Sequence, residues 1–300
     1  MKRRRVLGIL AGVAALPVVG ARATPNAYSW RGLALGAEAH IILDHPRAET
    51  LVRGAISEIR RLENIFSLYI ADSELSRLNR DGVLFSPSFE MVELLSLCAA
   101  INLRTAGAFD PSVQALWSLY ARAWSEGHAP SVARIEEARA LTGWEKVSFS
   151  PSRISFERAG VMLTLNGIAQ GFIADRIADY FRRNSVSNVL VNTGEIAALG
   201  PGPDGAGWPV AIGGKNGETA PLSNSAIATS APLGTVFDRA GAEGHIIDPQ
   251  TGYPGGKWRQ VTVISGSAAE ADGLSTAFSL MNRNDIELAK GTTQVILLPS

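Results

Sequence analysis

The sequence predicts a single domain of the α+β class, with mixed or antiparallel sheets and packed helices. Helical periodicity is concentrated early in the chain and in two later segments, and short apolar or β-branched runs are grouped between them. Grouped elements favour this class over one in which strands and helices alternate. The 300 residues are 46% apolar and 19% charged, which suffices for one large core, and no low-complexity linker divides them.

In the first half of the chain, helices follow one early strand. The run 34–43 is typical of a strand, and Asp44-His45-Pro46 ends it. Apolar residues at helical spacing predict the helices, with Ser88 and Ser131 as N-terminal caps and Gly107 as a stop. These helices span 49–66, 89–105, 113–124 and 131–141, and Asp72-Ser73-Glu74 opens a further short turn or helix.

The second half carries most of the strands. They are predicted at 146–149, 153–156, 161–165, 188–192, 196–200, 208–212, 226–230, 260–265 and 293–298. Asn216-Gly217 lies among them and predicts a hairpin turn. Helical periodicity returns at 167–183 and 268–281, and the second of these helices opens with a capping box from Ser267 to Glu270.

The first 23 residues have the three parts of an export signal. Basic residues at 2–5 precede an uncharged run from Val6 to Gly20, and Ala21-Arg22-Ala23 fits a cleavage site. The run is about 15 residues long, shorter than the roughly 20 that span a bilayer. Arg3-Arg4 fits a twin-arginine signal, with an ordinary secretory signal and an uncleaved anchor as alternatives. We therefore expect a signal peptide at 1–23, a mature domain at 24–300 without a transmembrane segment, and a periplasmic location.

The overall charge depends on that signal. The chain has 28 Lys and Arg and 28 Asp and Glu, but five basic residues and no acidic one lie within 1–23. The mature domain would therefore be mildly acidic, which argues against nucleic acid, a partner that needs a basic surface. The one cysteine, Cys98, lies in an apolar stretch of helical period and is expected to be a buried hydrophobe rather than a nucleophile.

Two familiar kinds of site are disfavoured. Residues 200–205 match the glycine pattern of a dinucleotide fingerprint, but Pro203 and Trp208-Pro209-Val210 predict a loop into a strand where that fingerprint needs a helix. The four histidines share no metal-ligand spacing, which argues against zinc.

Asp272 and Thr276 are four residues apart on the last predicted helix and therefore lie on one face of it. A carboxylate and a hydroxyl that project together are hard oxygen ligands suited to Mg²⁺. The alternative is an exposed Asp beside a Thr that hydrogen-bonds back to its own helix.

Three further segments combine turn residues with useful chemical groups. His245 precedes the Asp248-Pro249 turn and could orient a phosphate or carry a proton, although a structural histidine is the commoner case. Residues 166–171 place two glycines where a strand meets a helix, which suits either an anion or tight packing. Residues 107–111 are either a helix stop or a ring platform with an acidic acceptor at Asp110.

Together and in this order, the motifs resemble the ApbE family of FAD:protein FMN transferases over nearly the whole mature chain. The order and spacing of the blocks make the resemblance specific, and it implies a single ApbE-like, T-fold-related domain. The blocks are Leu35-Gly36-Ala37, Phe66-Ser67-Leu68-Tyr69, 72–79, 107–111, 165–172 with Asp175, 191–196, Ala228-Thr229-Ser230, 245–252 and 271–277.

The resemblance implies an enzyme that binds FAD and Mg²⁺ and moves FMN to a threonine hydroxyl of a partner protein, releasing AMP. Asp272, Thr276 and the backbone carbonyl near Gly167 would hold the metal, and Asp272 and His245 would act in catalysis. The residues implied at the cofactor site are Leu35, Tyr69, Ala108, Phe109, Asp110, Thr164, Gln170, His245 and Ile246. The acceptor would be a membrane-bound electron-transfer flavoprotein, and the export signal is similar to that of the NosX-like branch, which is linked to nitrous oxide respiration.

The chain also departs from the family pattern. Leu35-Gly36-Ala37 stands where Met-Gly-Thr is usual, Thr164 where Asp is usual, and Gln170 where Lys is frequent. Ala231-Pro232 follows the Ala228-Thr229-Ser230 block, where Gly is common. Two alternatives therefore stay open beside transfer: a protein that binds and delivers FAD, and an FAD pyrophosphatase that uses water as the nucleophile.

Overall fold

The computed structural model describes residues 27–212 and 219–300. The predicted signal peptide at 1–23 and the predicted turn at Asn216-Gly217 lie outside the described residues. Within the described ranges, no helix has both the length and the apolar content needed to cross a bilayer.

Every predicted helix forms, with ends that differ by a few residues from the prediction. Ser88, Ser131 and Ser267 each cap a helix through the side-chain oxygen, as predicted. The helix at 283–289 was not predicted. The helices are α1 Ala48–Phe66, α2 Glu74–Asp81, α3 Phe89–Arg104, α4 Gln114–Glu126, α5 Val132–Arg139, α6 Ala169–Arg183, α7 Ala268–Leu280 and α8 Arg283–Ala289.

The strands largely follow the predicted runs, and three short or edge strands were not predicted. The strands are β1 Tyr28–Ala34, β2 Ala37–Leu43, β3 Val83–Phe85, β4 Val147–Phe149, β5 Arg153–Phe156, β6 Val189–Asn192, β7 Ile196–Leu199, β8 Trp208–Ala211, β9 Thr219–Leu222, β10 Ser225–Ser230, β11 Gln260–Ser265 and β12 Gln294–Leu298.

Two strand predictions were wrong. The single strand at 34–43 is the second half of a hairpin, because Leu35 and Gly36 adopt φ values of 46° and 84° and turn the chain between β1 and β2. The segment 161–165 forms no strand, because its backbone groups are bonded elsewhere. The Asn79 side chain binds both the amide and the carbonyl of Leu163, at 2.7 and 2.8 Å, and the Thr164 amide donates to the Pro111 carbonyl at 2.8 Å.

Seven antiparallel strands form the central sheet, in the order β1-β2-β6-β7-β10-β11-β12. Side chains alternate between its faces, and both faces are covered. Ile41 packs into the main core with the helices, whereas Ile42 packs against the paired strands β8 and β9. A second sheet, in the order β3-β5-β4, lies outside this layer.

Helices α6 and α7 pack side by side in the main core. The approach is close because α6 has Gly171 at the contact: a Cβ atom there would lie 2.2 Å from the carbonyl oxygen of Ala268. This contact places the first turn of α6 against the face of α7 that carries Asp272.

Helices α4 and α5 build a separate small core with residues of the 235–247 segment. Tyr120 stacks on Phe237 with ring centroids 5.6 Å apart, and Ile247 is buried in the same cluster. This packing fixes the segment that carries His245.

Candidate active site

A cleft of about 1360 Å³, including the part that is open to solvent, lies between α7, the start of α6, the end of β10 and two loops. The lining comes from residues 35–37, 108–117, 164–170, 194–195, 229–235, 245–247 and 272–280. Segments far apart in the sequence therefore meet at one cleft.

Asp272 is a buried carboxylate on the wall of this cleft. Its residue surface is only 4% exposed, and its Oδ2 atom accepts a hydrogen bond of 3.2 Å from the amide of Gly171. Burial raises the pKa of Asp272 to about 7, against the opposing effect of the Gly171 hydrogen bond. The sequence alternative of an exposed Asp is therefore wrong.

Thr276 lies one helical turn beyond Asp272 and faces the Gly167 turn. A Cβ atom at Gly167 would lie 2.9 Å from Thr276 Oγ1, so the backbone of the turn approaches the hydroxyl closely. The amide of Gly171 is in the first turn of α6, where amides have no partner within the helix, and it donates to Asp272. The three predicted metal-binding positions, Gly167, Asp272 and Thr276, thus come together at the cleft.

A second carboxylate, Glu195, faces the same cleft and was given no role by the sequence. Its Oε2 atom accepts from the Thr229 amide at 3.2 Å. Burial, and next the charge of Asp272, raise the pKa of Glu195 well above its ordinary value. Glu195 lies in the 191–196 block, just before β7, and no spacing rule links it to Asp272. The two residues reach the same cleft because β7 pairs with β10, on which α7 packs.

The donor set fits Mg²⁺. Among the described residues that line the cleft, none is Lys or Arg, whereas Asp110, Glu195 and Asp272 are acidic. Carboxylate, hydroxyl and carbonyl oxygens are hard ligands, and Mg²⁺ usually takes one or two carboxylates from the protein and leaves its other positions to water and phosphate. A nearby cation also stabilises the ionised form of a buried carboxylate more than that of an exposed one.

Gln170 and Thr164 both reach the cleft. Gln170 packs on Gly194, where a Cβ atom would lie 2.5 Å from the Gln170 amide group and where φ is +109°. The hydroxyl of Thr193 donates to the Gln170 carbonyl at 2.8 Å. Thr164 accepts from the Asn166 amide at 3.3 Å, so its hydroxyl supports the turn that precedes α6.

The 107–111 segment forms a wall of the cleft rather than only a helix stop. Ala108 and Phe109 line the cleft, and Phe109 is 5% exposed. Asp110 Oδ1 accepts from the amide and hydroxyl of Ser112, at 2.8 and 2.6 Å. Burial raises the pKa of Asp110 despite these hydrogen bonds. Trp117 on α4, which carried no sequence signal, extends this wall.

His245 and Ile246 lie on the wall formed by the 235–247 segment. The Nδ1 atom of His245 is 3.1 Å from the Thr235 carbonyl. Burial lowers the pKa of His245, although the carbonyl oxygens of Thr235 and Pro232 oppose that shift. The imidazole therefore favours its neutral form, which can accept a proton.

The two remaining predicted residues lie at the rim. Leu35 lines the cleft from the β1-β2 turn, where its amide donates to Glu63 at 2.8 Å. Tyr69 is not a lining residue: it is 43% exposed and hydrogen-bonds Asn166, which does line the cleft. Partial burial raises the pKa of Tyr69 to about 12. Apart from Tyr69, every predicted site residue reaches the cleft.

Comparison with known proteins identifies the family. The model of the ApbE family matches residues 35–297, and the chain therefore belongs to the ApbE family. An FAD:protein FMN transferase of Vibrio cholerae is 31% identical over 242 residues, 74% of this chain and 71% of that protein. One of Haemophilus influenzae is 27% identical over an aligned length of 325, covering 99% of this chain and 93% of that protein.

A solved structure shares the fold. The crystal structure of the flavinyl transferase ApbE of Pseudomonas stutzeri, in its apo form, superposes with a TM-score of 0.80. The two sequences are 28% identical, and the match covers 91% of each chain.

Proposed function

We propose that this member of the ApbE family is a Mg²⁺-dependent FAD:protein FMN transferase. It would move FMN from FAD to a threonine hydroxyl of a partner protein and release AMP. The relatives that match most of the chain are named for transfer of FMN from FAD to protein. The observation that carries the proposal is the buried Asp272 carboxylate, which meets Thr276 and the Gly167 turn at one cleft that also has an apolar wall.

The acidic lining supports the dependence on a metal. A pyrophosphate would meet Asp110, Glu195 and Asp272 in a cleft where no described lining residue is Lys or Arg. Asp272, Thr276 and the Gly167 carbonyl would hold Mg²⁺. When bound, the ion would neutralise phosphate charge and stabilise the transition state of phosphoryl-type transfer.

The reaction exchanges one phosphorus–oxygen bond for another. The threonine oxygen forms a bond to the phosphorus of the FMN half, and the bond from that phosphorus to the bridging oxygen breaks. AMP leaves with the bridging oxygen and its electron pair. The threonine proton must go to a base, and His245, neutral through burial, lies on the cleft wall as one acceptor. The Asp272 carboxylate is a second possible acceptor for this proton.

The apolar wall of the cleft would bind the flavin ring. Ala108, Phe109 and Trp117 offer ring and methyl surface beside the Asp110 carboxylate. An isoalloxazine ring is flat, largely apolar and edged with polar atoms, and a wall of this composition would orient it.

We extend the proposal to the place of action and the acceptor. The predicted twin-arginine signal at 1–23 supports a periplasmic enzyme that modifies a membrane-bound electron-transfer flavoprotein, as expected of the NosX-like branch. Conservative replacement of both Arg3 and Arg4 by Lys keeps the charge and should abolish export through the twin-arginine pathway. Cell fractionation tests this, and unchanged periplasmic protein would contradict it.

Transfer itself is tested by incubating the purified protein with FAD, Mg²⁺ and a domain that bears the acceptor threonine. We expect a covalent fluorescent band in a denaturing gel, lost with Asp272→Asn and with Thr→Ala in the acceptor. Free FMN and AMP without a band would indicate the pyrophosphatase, and FAD left intact would indicate a delivery protein. Either result would overturn the proposed transfer.

A further inference from the structure

We propose that Ser230 and Ser275 are positioning residues that fix the direction of the Thr276 hydroxyl, so that its oxygen presents only lone pairs to the metal site. The inference rests on the proposed Mg²⁺ site. It comes from three consecutive contacts, one within α7 and two that join the end of β10 to α7.

The first contact sets the direction of the chain of hydroxyls. Ser275 Oγ is fully buried and lies 3.0 Å from the carbonyl oxygen of Asp272. A carbonyl oxygen only accepts, so Ser275 donates its single hydroxyl proton there. That carbonyl is also the usual acceptor for a helical Thr four residues later, so Ser275 takes the position that the Thr276 hydroxyl would otherwise use.

The second contact follows from the first. Ser230 Oγ, at the end of β10, lies 2.7 Å from Ser275 Oγ. Because the Ser275 proton is already used, Ser230 is the donor in this hydrogen bond and Ser275 the acceptor. The proton of Ser230 is then also used.

The third contact reaches the metal site. Thr276 Oγ1 lies 3.4 Å from Ser230 Oγ. Since Ser230 has no proton left, Thr276 is the donor. The distance exceeds the 2.5–3.0 Å usual between hydroxyls, so this link sets direction more than it adds stability. With its proton turned to Ser230, Thr276 keeps its lone pairs for the cleft, where Gly167 and Asp272 lie.

Such an arrangement would strengthen metal binding. A cation is attracted by lone pairs and repelled by a hydroxyl proton that points at it, and outer hydrogen bonds that orient metal ligands are typically worth 10- to 100-fold in affinity. Ser230 itself lines the cleft, but its hydroxyl acts through Thr276.

Mn²⁺ is the probe, titrated into the purified protein with FAD present and acceptor absent, with free ion measured by electron paramagnetic resonance. We expect Ser230→Ala and Ser275→Ala each to weaken Mn²⁺ binding about tenfold. The double variant should lose little more than either single one, since both break the same chain. Ser230→Thr retains a hydroxyl and should restore the affinity.

Ser279→Ala is the matched control. Ser279 is a buried serine on the same helix, and its hydroxyl donates only to the Ser275 carbonyl, at 2.9 Å. Its removal should leave Mn²⁺ affinity unchanged. If Asp272→Asn weakens Mn²⁺ binding while Ser230→Ala and Ser275→Ala behave like this control, the inference is overturned and the metal site stands.

If Asp272→Asn leaves Mn²⁺ binding unchanged, both the metal site and the inference fall. Thermal melting of each variant is measured in parallel, because a purely structural role would lower the melting temperature without changing Mn²⁺ affinity. Ser230 is partly exposed, so Ser230→Ala carries the test even if Ser275→Ala does not fold.

Discussion

The carboxylate of Asp175 on α6 accepts a hydrogen bond of 2.8 Å from the amide of Ala268, the first residue of α7. The same carboxylate accepts from the Ala269 amide at 3.0 Å and from the Ser267 hydroxyl at 2.7 Å. A carboxylate at a helix N-terminus satisfies free amides and interacts favourably with the helix dipole. Asp175 therefore fixes the start of the helix that carries Asp272.

Asp175→Ala should lower the free energy of unfolding by about 2 kcal/mol, because three hydrogen bonds to a partly buried carboxylate are lost together. Urea denaturation measures the change. The control is Asp179→Ala, on the same helix, whose partner is the exposed Arg182. That variant should change stability by less than about 0.5 kcal/mol. Equal effects would show that Asp175 is no more than a surface charge.

Gly171→Ala should also destabilise the protein, for a steric reason. The added Cβ atom would lie 2.2 Å from the Ala268 carbonyl oxygen and 2.7 Å from the Ala269 amide nitrogen, both backbone atoms that cannot rotate away. Overpacking of this kind costs about 1–3 kcal/mol. Gly266→Ala is the control, because a Cβ there meets nothing within 4 Å. If both variants melt at the temperature of the unchanged protein, the close packing of α6 on α7 is wrong.

The same region shows what local sequence predicts and what it misses. Ser267 caps α7 as the capping box predicts, with its hydroxyl 3.2 Å from the Glu270 amide. Glu270 does not return the hydrogen bond; its carboxylate binds Arg104 at 2.7 Å and also contacts Ser265. The capping rule acts over three residues, whereas Arg104 is 166 residues away and depends on how α3 and α7 pack.

In the candidate site, too, local sequence predicts some features, and others depend on tertiary packing. Spacing alone placed Asp272 and Thr276 on one helix face, but their burial follows from the sheet and from α6. The failed strand at 161–165 has apolar spacing typical of a strand, yet Asn79, 84 residues earlier, takes the hydrogen bonds of Leu163. That Glu195 and Asp272 face one cleft likewise could not be predicted, because it depends on the order of strands in the sheet, which periodicity does not encode.

Cys98 should be inert in the folded protein. It is fully buried, and burial raises the pKa of its thiol, so little thiolate forms near neutral pH. We expect no labelling by iodoacetamide under native conditions and one label per chain in urea, as measured by mass spectrometry. Rapid labelling of the native protein would contradict the buried position.

The neutral state of His245 should appear in the pH dependence of stability. Burial lowers its pKa in the folded state, so the unfolded chain binds the proton more readily. This contribution to stability is present above the unfolded pKa, near 6.5, and is lost as pH falls through and below that value.

Between pH 7.5 and 5.5, the native sequence should therefore lose more stability than His245→Gln, which does not titrate. Urea denaturation at several pH values measures the difference. The control is His128→Gln, at an exposed histidine that does not line the cleft. A His245→Gln variant that loses as much stability as the native sequence would show that the imidazole is not held neutral.

At alkaline pH, where Glu195 is ionised despite its raised pKa, its charge should oppose FAD when no metal is present. Glu195 and Asp272 face one cleft, and each carboxylate there repels a pyrophosphate, an effect that is strong where solvent screens little. Glu195→Gln keeps an oxygen for the Thr229 amide and removes the charge. With EDTA present, it should bind FAD several-fold more tightly than the native sequence, as measured by quenching of flavin fluorescence.

A control variant separates the effect of charge inside the cleft from the effect of the net charge of the protein. Glu157→Gln changes net charge by the same amount at an exposed site and should leave FAD affinity unchanged. On adding Mg²⁺ the advantage of Glu195→Gln should shrink, because the ion then compensates the carboxylates in the native sequence. If Glu195→Gln still binds FAD more tightly by the same factor with Mg²⁺ present, Glu195 repels FAD independently of the metal. The cation would then lie too far from this carboxylate to compensate its charge.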